Sequence, residues 1–261
     1  MKIGIIGCGN LGRSILEGVV AKIPEVEVFA SKRSLESIQH YASDQVTITS
    51  DNKLLITSCD VLILALKPYT VLPFIQEHQE YLKPSRHTLI SVATGITIEE
   101  ILNSVGKDLG VYRAMPNTAA AVNESMTTLS SNEDPLNRGA LITEIFNGLG
   151  TTVTIDESLM DAATILGACG VAYVLRFMRA MIQGGIEVGF DAKTATQIVS
   201  QTMKGASELI IQNNSHPEEE IDKVTTPKGC TIVGLNEMEH SGFSSSLIKG
   251  ITASYDKIAD A

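Results

Sequence analysis

The chain has no paired cysteines, no catalytic histidine motif and no excess of positive charge, and each lack removes a class of function. Its four cysteines, Cys8, Cys59, Cys169 and Cys230, are scattered, with no C-x-x-C pair. They read as reduced thiols in a cytoplasmic protein, neither a disulfide frame nor a zinc site. A formal charge of −10 argues against non-specific binding to nucleic acid or to acidic membranes. Low-complexity tracts are absent, and the apolar start runs straight into a glycine turn and Arg13, unlike a signal peptide. The longest uncharged run of the C-terminal half, Ala162 to Leu175, lies between Asp161 and Arg176. It is too short for a membrane span and typical of a buried core helix. The patterns H-E-x-x-H, H-x-x-E-H and G-x-S-x-G do not occur. The histidines at 40, 78, 87, 216 and 240 are isolated and read as surface residues. No metal is expected, so the hard chemistry falls to a bound cofactor that the protein orients.

What is present begins at once. Ile3, Ile5 and Ile6 form a β-branched run, as in a strand buried on both faces. Gly7, Gly9 and Gly12 follow in the G-x-G-x-x-G spacing, and apolar residues at 15, 16, 19, 20 and 23 then repeat at helical spacing. Strand, glycine turn and helix thus come in the order of a dinucleotide site. Gly7 permits the tight turn, Gly9 admits a pyrophosphate, and Gly12 lets the helix pack on the strand. The helix N-terminus offers free N–H groups to phosphates.

The second strand, Val26 to Ala30, is followed by Ser31-Lys32-Arg33-Ser34, where NAD sites usually carry Asp or Glu. Two cations and two hydroxyls suit a 2′-phosphate, which points to NADPH, with NADH as the lesser option. A helix from about Ser34 to Tyr41, capped by Ser34, and a short strand at 46–48 are expected next. Asn52 reads either as a helix cap or as a polar contact on the adenosine side. The apolar strand Val61 to Leu66 ends at Lys67-Pro68, and Lys67 reads equally as a cofactor contact or an exposed loop residue. Strands at 88–92 and 111–115 follow, with Thr97 and Glu100 spaced as a capping box for a helix to Val105. A segment from Ser125 to Leu129, a helix around 136–149 and a strand at 151–155 close a doubly wound, mostly parallel sheet.

Strand signals vanish after Asp156-Glu157, which divides the chain into residues 1–157, a Rossmann-like dinucleotide-binding domain, and 158–261, an all-helical domain. Leu159 to Glu187 is apolar around most of its circumference and must be buried. A domain of about a hundred residues can hardly cover it alone, so a homo-oligomer built on this half is expected. Near the C-terminus, Thr225-Thr226-Pro227-Lys228-Gly229-Cys230-Thr231 precedes a helical stretch. Such an N-terminus suits a small carboxylate, although the residues are equally typical of an ordinary Thr–Pro helix start.

The chain resembles the pyrroline-5-carboxylate reductase family over nearly its whole length. The resemblance is carried by Ile6 to Gly12, Ala65-Leu66-Lys67-Pro68, Ala93-Thr94-Gly95-Ile96-Thr97, Arg113-Ala114-Met115-Pro116-Asn117-Thr118, His216-Pro217 and the loop from Thr225 to Thr231. It implies a nicotinamide-binding domain, a helical domain interlocked with a second subunit, and possible assembly beyond the dimer. It implies hydride transfer from NAD(P)H to the C=N carbon of a five-membered imine carboxylate, giving L-proline. It assigns Gly7, Cys8, Gly9, Asn10, Leu11, Gly12, Ser31, Lys32, Arg33, Asn52, Ala65, Leu66, Lys67, Pro68, Ala93, Thr94 and Gly95 to the cofactor. Thr226, Gly229, Cys230 and Thr231 go to the substrate, with Thr231 as the catalytic residue. A cyclic imine can enter already protonated, so Thr231 need only orient the nitrogen and no strong acid is required.

The departures cluster on the substrate side. Gly167-Ala168-Cys169-Gly170-Val171-Ala172 stands where the family has a Ser-Gly-Ser-Gly-Pro-Ala-like stretch, and Ala119 replaces a usual proline. Lys228 stands at the first glycine of the family's Pro-Gly-Gly loop. A lysine there is costly if that position needs φ > 0, and otherwise adds a cation for a carboxylate. These changes leave open a different cyclic imine or small carbonyl acid as substrate, or a non-catalytic paralogue that keeps the cofactor.

Overall fold

Ile3, Ile5 and Ile6 are at most 2% exposed, as a strand covered on both faces requires. They lie in β1 (Lys2–Ile6) of a computed structural model that describes residues 1–106 and 108–259. There follow α1 (Asn10–Lys22), β2 (Glu27–Ser31), β3 (Val46–Thr49), α2 (Asn52–Ser58), β4 (Val61–Leu64) and α3 (Pro68–His78). Then come β5 (Thr88–Ser91), α4 (Ile98–Val105), β6 (Gly110–Met115), β7 (Ser125–Ser131), α5 (Gly139–Asn147) and β8 (Gly150–Thr154). Among the described residues these strands form one sheet in the order β3-β2-β1-β4-β5-β6-β7-β8. The neighbours from β3 through β6 pair in parallel; β7 is antiparallel to β6, and β8 is parallel to β7. One face is covered by Ile15, Leu16 and Val19 of α1 with Ile142 and Phe146 of α5. The other is covered by Leu55 of α2, Val71 and Ile75 of α3 and Ile101 of α4. Strand order reverses between β1 and β4, the point where open α/β sheets bind ligands at their carboxyl edge.

The local signals that needed no distant partner hold. Thr97 caps α4 by accepting from Glu100 N, and the Glu100 carboxylate accepts from Thr97 N. This capping box holds the Glu100 carboxyl below its ordinary pKa, chiefly through the Thr97 backbone N–H. The expected helix from Ser34 to Tyr41 does not form: only Gln39–Tyr41 is helical, as a single 3₁₀ turn, so Ser34 caps nothing. Leu35, Ile38 and Tyr41 pack toward the α1 core, and their three-residue spacing matches the 3₁₀ period rather than the α period. His87 is also not at the surface. It is 1% exposed, its Nδ1 accepts from Lys83 N at 2.9 Å, and burial pushes its pKa down to about 4.

From Glu157 the chain is helical. A 3₁₀ turn at Glu157–Leu159 leads into α6 (Met160–Ala163), a π-helical turn at Thr164–Cys169 and α7 (Gly170–Glu187). Then follow α8 (Ala192–Asn213), α9 (Pro217–Val224), α10 (Cys230–His240) and α11 (Phe243–Ala259). The chain separates into two compact units, residues 1–171 rejoined by the chain from Lys257, and Ala172–Asp256. Within the second unit, the Tyr173 hydroxyl donates to Ser254 Oγ at 2.8 Å, and the Phe177 and Phe243 rings lie 5.6 Å apart. Asp191 caps α8 by accepting from Lys193 N and Thr194 N. Pro217 opens α9 behind the His216 cap.

Within one chain the run from Ala162 to Leu175 is only partly buried, at Thr164 and Ile165. Leu166 is 69% exposed, Leu175 58% and Val174 48%. By length and composition alone, the helical stretch Glu157–Glu187 is long and apolar enough to cross a membrane, a test that the core helices of globular proteins also pass. The charges that interrupt the sequence run do not interrupt the helix.

Candidate active site

Each glycine of the opening turn meets a different steric demand. Gly7 has φ 92°, and a Cβ there would lie 2.5 Å from Ala65 O. A Cβ on Gly12 would lie 2.6 Å from Gly7 O, so α1 reaches the turn only because that position is bare. A Cβ on Gly9 would have only Gly7 O near it, at 4.0 Å, which leaves room for a ligand to approach the backbone. The Gly7 and Cys8 amides both donate to Ser31 O, at 3.1 and 2.8 Å, and Gly9 N donates to Gly7 O at 2.7 Å. The turn's own amides are thereby used up. The first-turn amides of Asn10, Leu11 and Gly12, which have no intrahelical acceptor, remain for an anion. Cys8 offers backbone only: its side chain is buried, and burial raises the thiol pKa to about 11.

At the carboxyl end of β2, Ser31 is buried and its hydroxyl donates to Asn52 Oδ1 at 2.7 Å. Asp51, not Asn52, caps α2, by accepting from Leu54 N at 2.9 Å. Asn52 is therefore tied to the end of β2. Lys32 Nζ donates to Ser37 Oγ at 2.6 Å, and the exposed Arg33 has no partner among the described residues.

Ala65 is pinned to β1 by its amide, which donates to Ile6 O at 2.8 Å, while Lys67 and Pro68 at the start of α3 are exposed. Past β5, Ala93 is buried, Thr94 Oγ1 lies 4.0 Å from Met115 Sδ, and Gly95 takes φ 75° with open space around it. Parallel strands bring these four stretches to one edge of the sheet. A cavity of about 630 Å³ lies at the first of these stretches, walled by Asn10 and Leu11 of α1 and by Pro116, Asn117, Thr118 and Ala168. Sequence spacing gave no role to the last four. Pro116, Asn117 and Thr118 entered only as part of a stretch that carries the family resemblance, and Ala168 only in a stretch that departs from it.

In the helical unit, Thr226 to Gly229 form a turn closed by Gly229 N donating to Thr226 O at 2.9 Å. Pro227 takes its second position and Lys228, at φ 61°, its third, where glycine is favoured. A Cβ on Gly229 would lie 2.5 Å from Thr226 Oγ1, and Gly229 in turn caps α10 with no side-chain bond. The amides of Cys230 and Thr231 thus open the helix without intrahelical acceptors. Lysine in this left-handed backbone carries the steric cost anticipated for the position. Lys228→Gly is expected to raise stability by about 1 kcal/mol, read from urea denaturation midpoints; an unshifted midpoint would show that the loop relaxes around lysine.

Residues 157–261 match a family model described as pyrroline-5-carboxylate reductase dimerisation. Residues 2–95 match one described as NADP oxidoreductase, coenzyme F420-dependent. Pyrroline-5-carboxylate reductase 2 of Dictyostelium discoideum is 42% identical, over 98% of this chain and 91% of that protein. The chain belongs to the pyrroline-5-carboxylate reductase family. A second member from the same organism, pyrroline-5-carboxylate reductase 1, is 41% identical over 98% of this chain, and the chain spans 49% of that relative's length. Among solved structures, a pyrroline carboxylate reductase of Plasmodium falciparum with NADP bound superposes with a TM-score of 0.85 at 26% identity, over 99% of this chain and 97% of that one. The family's two-part plan, a mostly parallel sheet followed by a helical dimerisation region, is the plan of this chain.

Proposed function

We propose that the chain is an NADP(H)-dependent oxidoreductase that reduces 1-pyrroline-5-carboxylate to L-proline. The observation that carries this reading is the open approach over Gly9, set in a chain 42% identical to a pyrroline-5-carboxylate reductase across nearly its full length. The cofactor, when bound, supplies the hydride that adds to the imine carbon. Its pyrophosphate is held by the amides of Asn10, Leu11 and Gly12, with Gly7, Cys8 and Gly9 shaping the turn beneath. Arg33, a cation without a partner among the described residues, takes the 2′-phosphate together with Lys32. Ser31 acts by holding Asn52, which faces the adenosine. Ala65, Leu66, Lys67 and Pro68, with Ala93, Thr94 and Gly95, line the nicotinamide side.

Thr226, Gly229, Cys230 and Thr231 take the substrate. The free amides opening α10 receive the carboxylate, and the Thr231 hydroxyl orients the ring nitrogen. An imine that arrives protonated becomes an amine when hydride adds to carbon, so no buried acid or base is needed. Residues 1–157 form the dinucleotide-binding domain in this reading, and 158–261 the substrate and dimerisation domain. A second copy covers Leu166 of the π-helical turn and Val174 and Leu175 of α7, apolar side chains that are exposed in one chain. The free cysteines support a reducing, cytoplasmic setting.

The test is steady-state oxidation of NADPH, and separately of NADH, with 1-pyrroline-5-carboxylate as acceptor. Turnover of about 1 per second or more is expected. Arg33→Ala should raise the KM for NADPH about tenfold or more and leave that for NADH nearly unchanged, since a charge-assisted bond to phosphate contributes about 1.5–3 kcal/mol. NADPH binding without turnover would favour a different imine or a non-catalytic role.

A further inference from the structure

The loop past β6 reaches fifty residues along the chain to hold the π-helical turn. Asn117 is 9% exposed, and its amide makes two bonds of opposite sense. Oδ1 accepts from Ala119 N at 2.9 Å, and Nδ2 donates to Gly167 O at 3.1 Å. Its own backbone N–H donates to Ser125 Oγ at 2.9 Å, which fixes the loop on β7. Gly167 lies inside the π-helical turn Thr164–Cys169, and such turns occur mostly as single bulges, often at functional sites. The next residue, Ala168, lines the same cavity as Asn117 and as Asn10 and Leu11 at the start of α1.

We infer that Asn117 is a positioning residue for hydride transfer: by holding the Gly167 carbonyl it sets the wall at Ala168 of the cavity that the start of the glycine-turn helix also lines. This rests on the proposed reading that the cofactor lies over that turn. Only a carboxamide of this length both accepts from Ala119 and donates to Gly167. Aspartate keeps the first bond and turns the second into a contact between two oxygens. The wall then shifts while the loop stays capped, and a misplacement of about 1 Å costs on the order of a hundredfold in rate.

The experiment compares the parent with Asn117→Asp by NADPH titration, by kcat and KM for 1-pyrroline-5-carboxylate, and by thermal melting. The expected result is a fall in kcat of about 10- to 100-fold, with the NADPH Kd within about twofold of the parent. A kcat within about threefold of the parent would overturn the inference, as would an NADPH Kd that rises by the factor kcat falls. Should Asn117→Asp not fold, Ala168→Val reads the same wall with the Asn117 bond intact, and an unchanged kcat there overturns the inference equally. A parent that binds no NADPH overturns both this inference and the functional reading. A parent that binds and turns over, with unaffected variants, overturns only this inference.

Discussion

Gly12→Ala is expected to weaken NADPH binding about 100-fold and to lower stability by about 1–3 kcal/mol, although alanine is the better helix former. Two effects of opposite sign compete here. Replacing glycine inside a helix ordinarily gains up to about 1 kcal/mol from propensity. Against this, the new Cβ would sit 2.6 Å from Gly7 O and 3.3 Å from Gly7 C. Both are backbone atoms of a turn whose amides are already tied to Ser31 O, so they cannot swing aside as a flexible side chain would. The strain must be relieved by moving α1 away from the turn. That displaces the amides of Asn10 and Leu11 by a fraction of an ångström, and phosphate recognition depends on where those amides point. Urea denaturation and an NADPH titration on the same preparation check both halves. A variant as stable as the parent with unchanged affinity would show that the turn yields and the close approach is dispensable.

Glu157→Ala is expected to cost about 2–3 kcal/mol of stability, several times the cost of removing an exposed carboxylate. Arg113 is 4% exposed within β6, and its Nη1 donates to Glu157 Oε1 at 3.0 Å. The same oxygen accepts from Ile98 N at 2.7 Å, so one carboxylate joins β6, the first turn of α4 and the entry to the helical region. Arg113 Nε and Nη2 are buried without a hydrogen bond among the described residues, and Asp161 is 3.9 Å from Nη2. Without Glu157 the guanidinium keeps only that longer contact. Glu157 is 32% exposed on its side chain, which screens part of the effect and places it at or below the low end for a broken buried pair. Glu157→Gln retains an acceptor for Ile98 N and removes only the charge, so its loss should be the smaller of the two. Equal losses for both variants in urea denaturation would assign the whole effect to charge. A loss under about 0.5 kcal/mol for Glu157→Ala would mean that water or Asp161 replaces it.

What could be read from the chain and what could not divides by the range of the interactions involved. The β1–turn–α1 unit was legible because its demands lie within ten residues: a buried apolar run, glycines at fixed offsets, then helical periodicity. The Thr97–Glu100 capping box was legible for the same reason. The segment from Ser34 to Tyr41 misled because Leu35, Ile38 and Tyr41 also suit one face of a short α-helix. Their packing toward α1 selected the tighter 3₁₀ turn instead. His87 looks like any surface histidine until β5 and its neighbours enclose it. Lys228 carried a conditional meaning that only its backbone angle could decide, and at φ 61° the costly branch holds.

The sequence by itself determined the order of strands and helices, the glycine turn with its helix, the basic loop after β2 and membership of the reductase family. These rest on local periodicity and on residue types whose steric and electrostatic roles are carried wherever they sit. Tertiary structure alone decided that Ser31 holds Asn52, that Arg113 meets Glu157, that Asn117 reaches Gly167, and that the long apolar helix lies uncovered in one chain. Each depends on groups brought together from distant parts of the chain, or on a cover that the chain does not contain, and no spacing along a sequence encodes a partner tens of residues away.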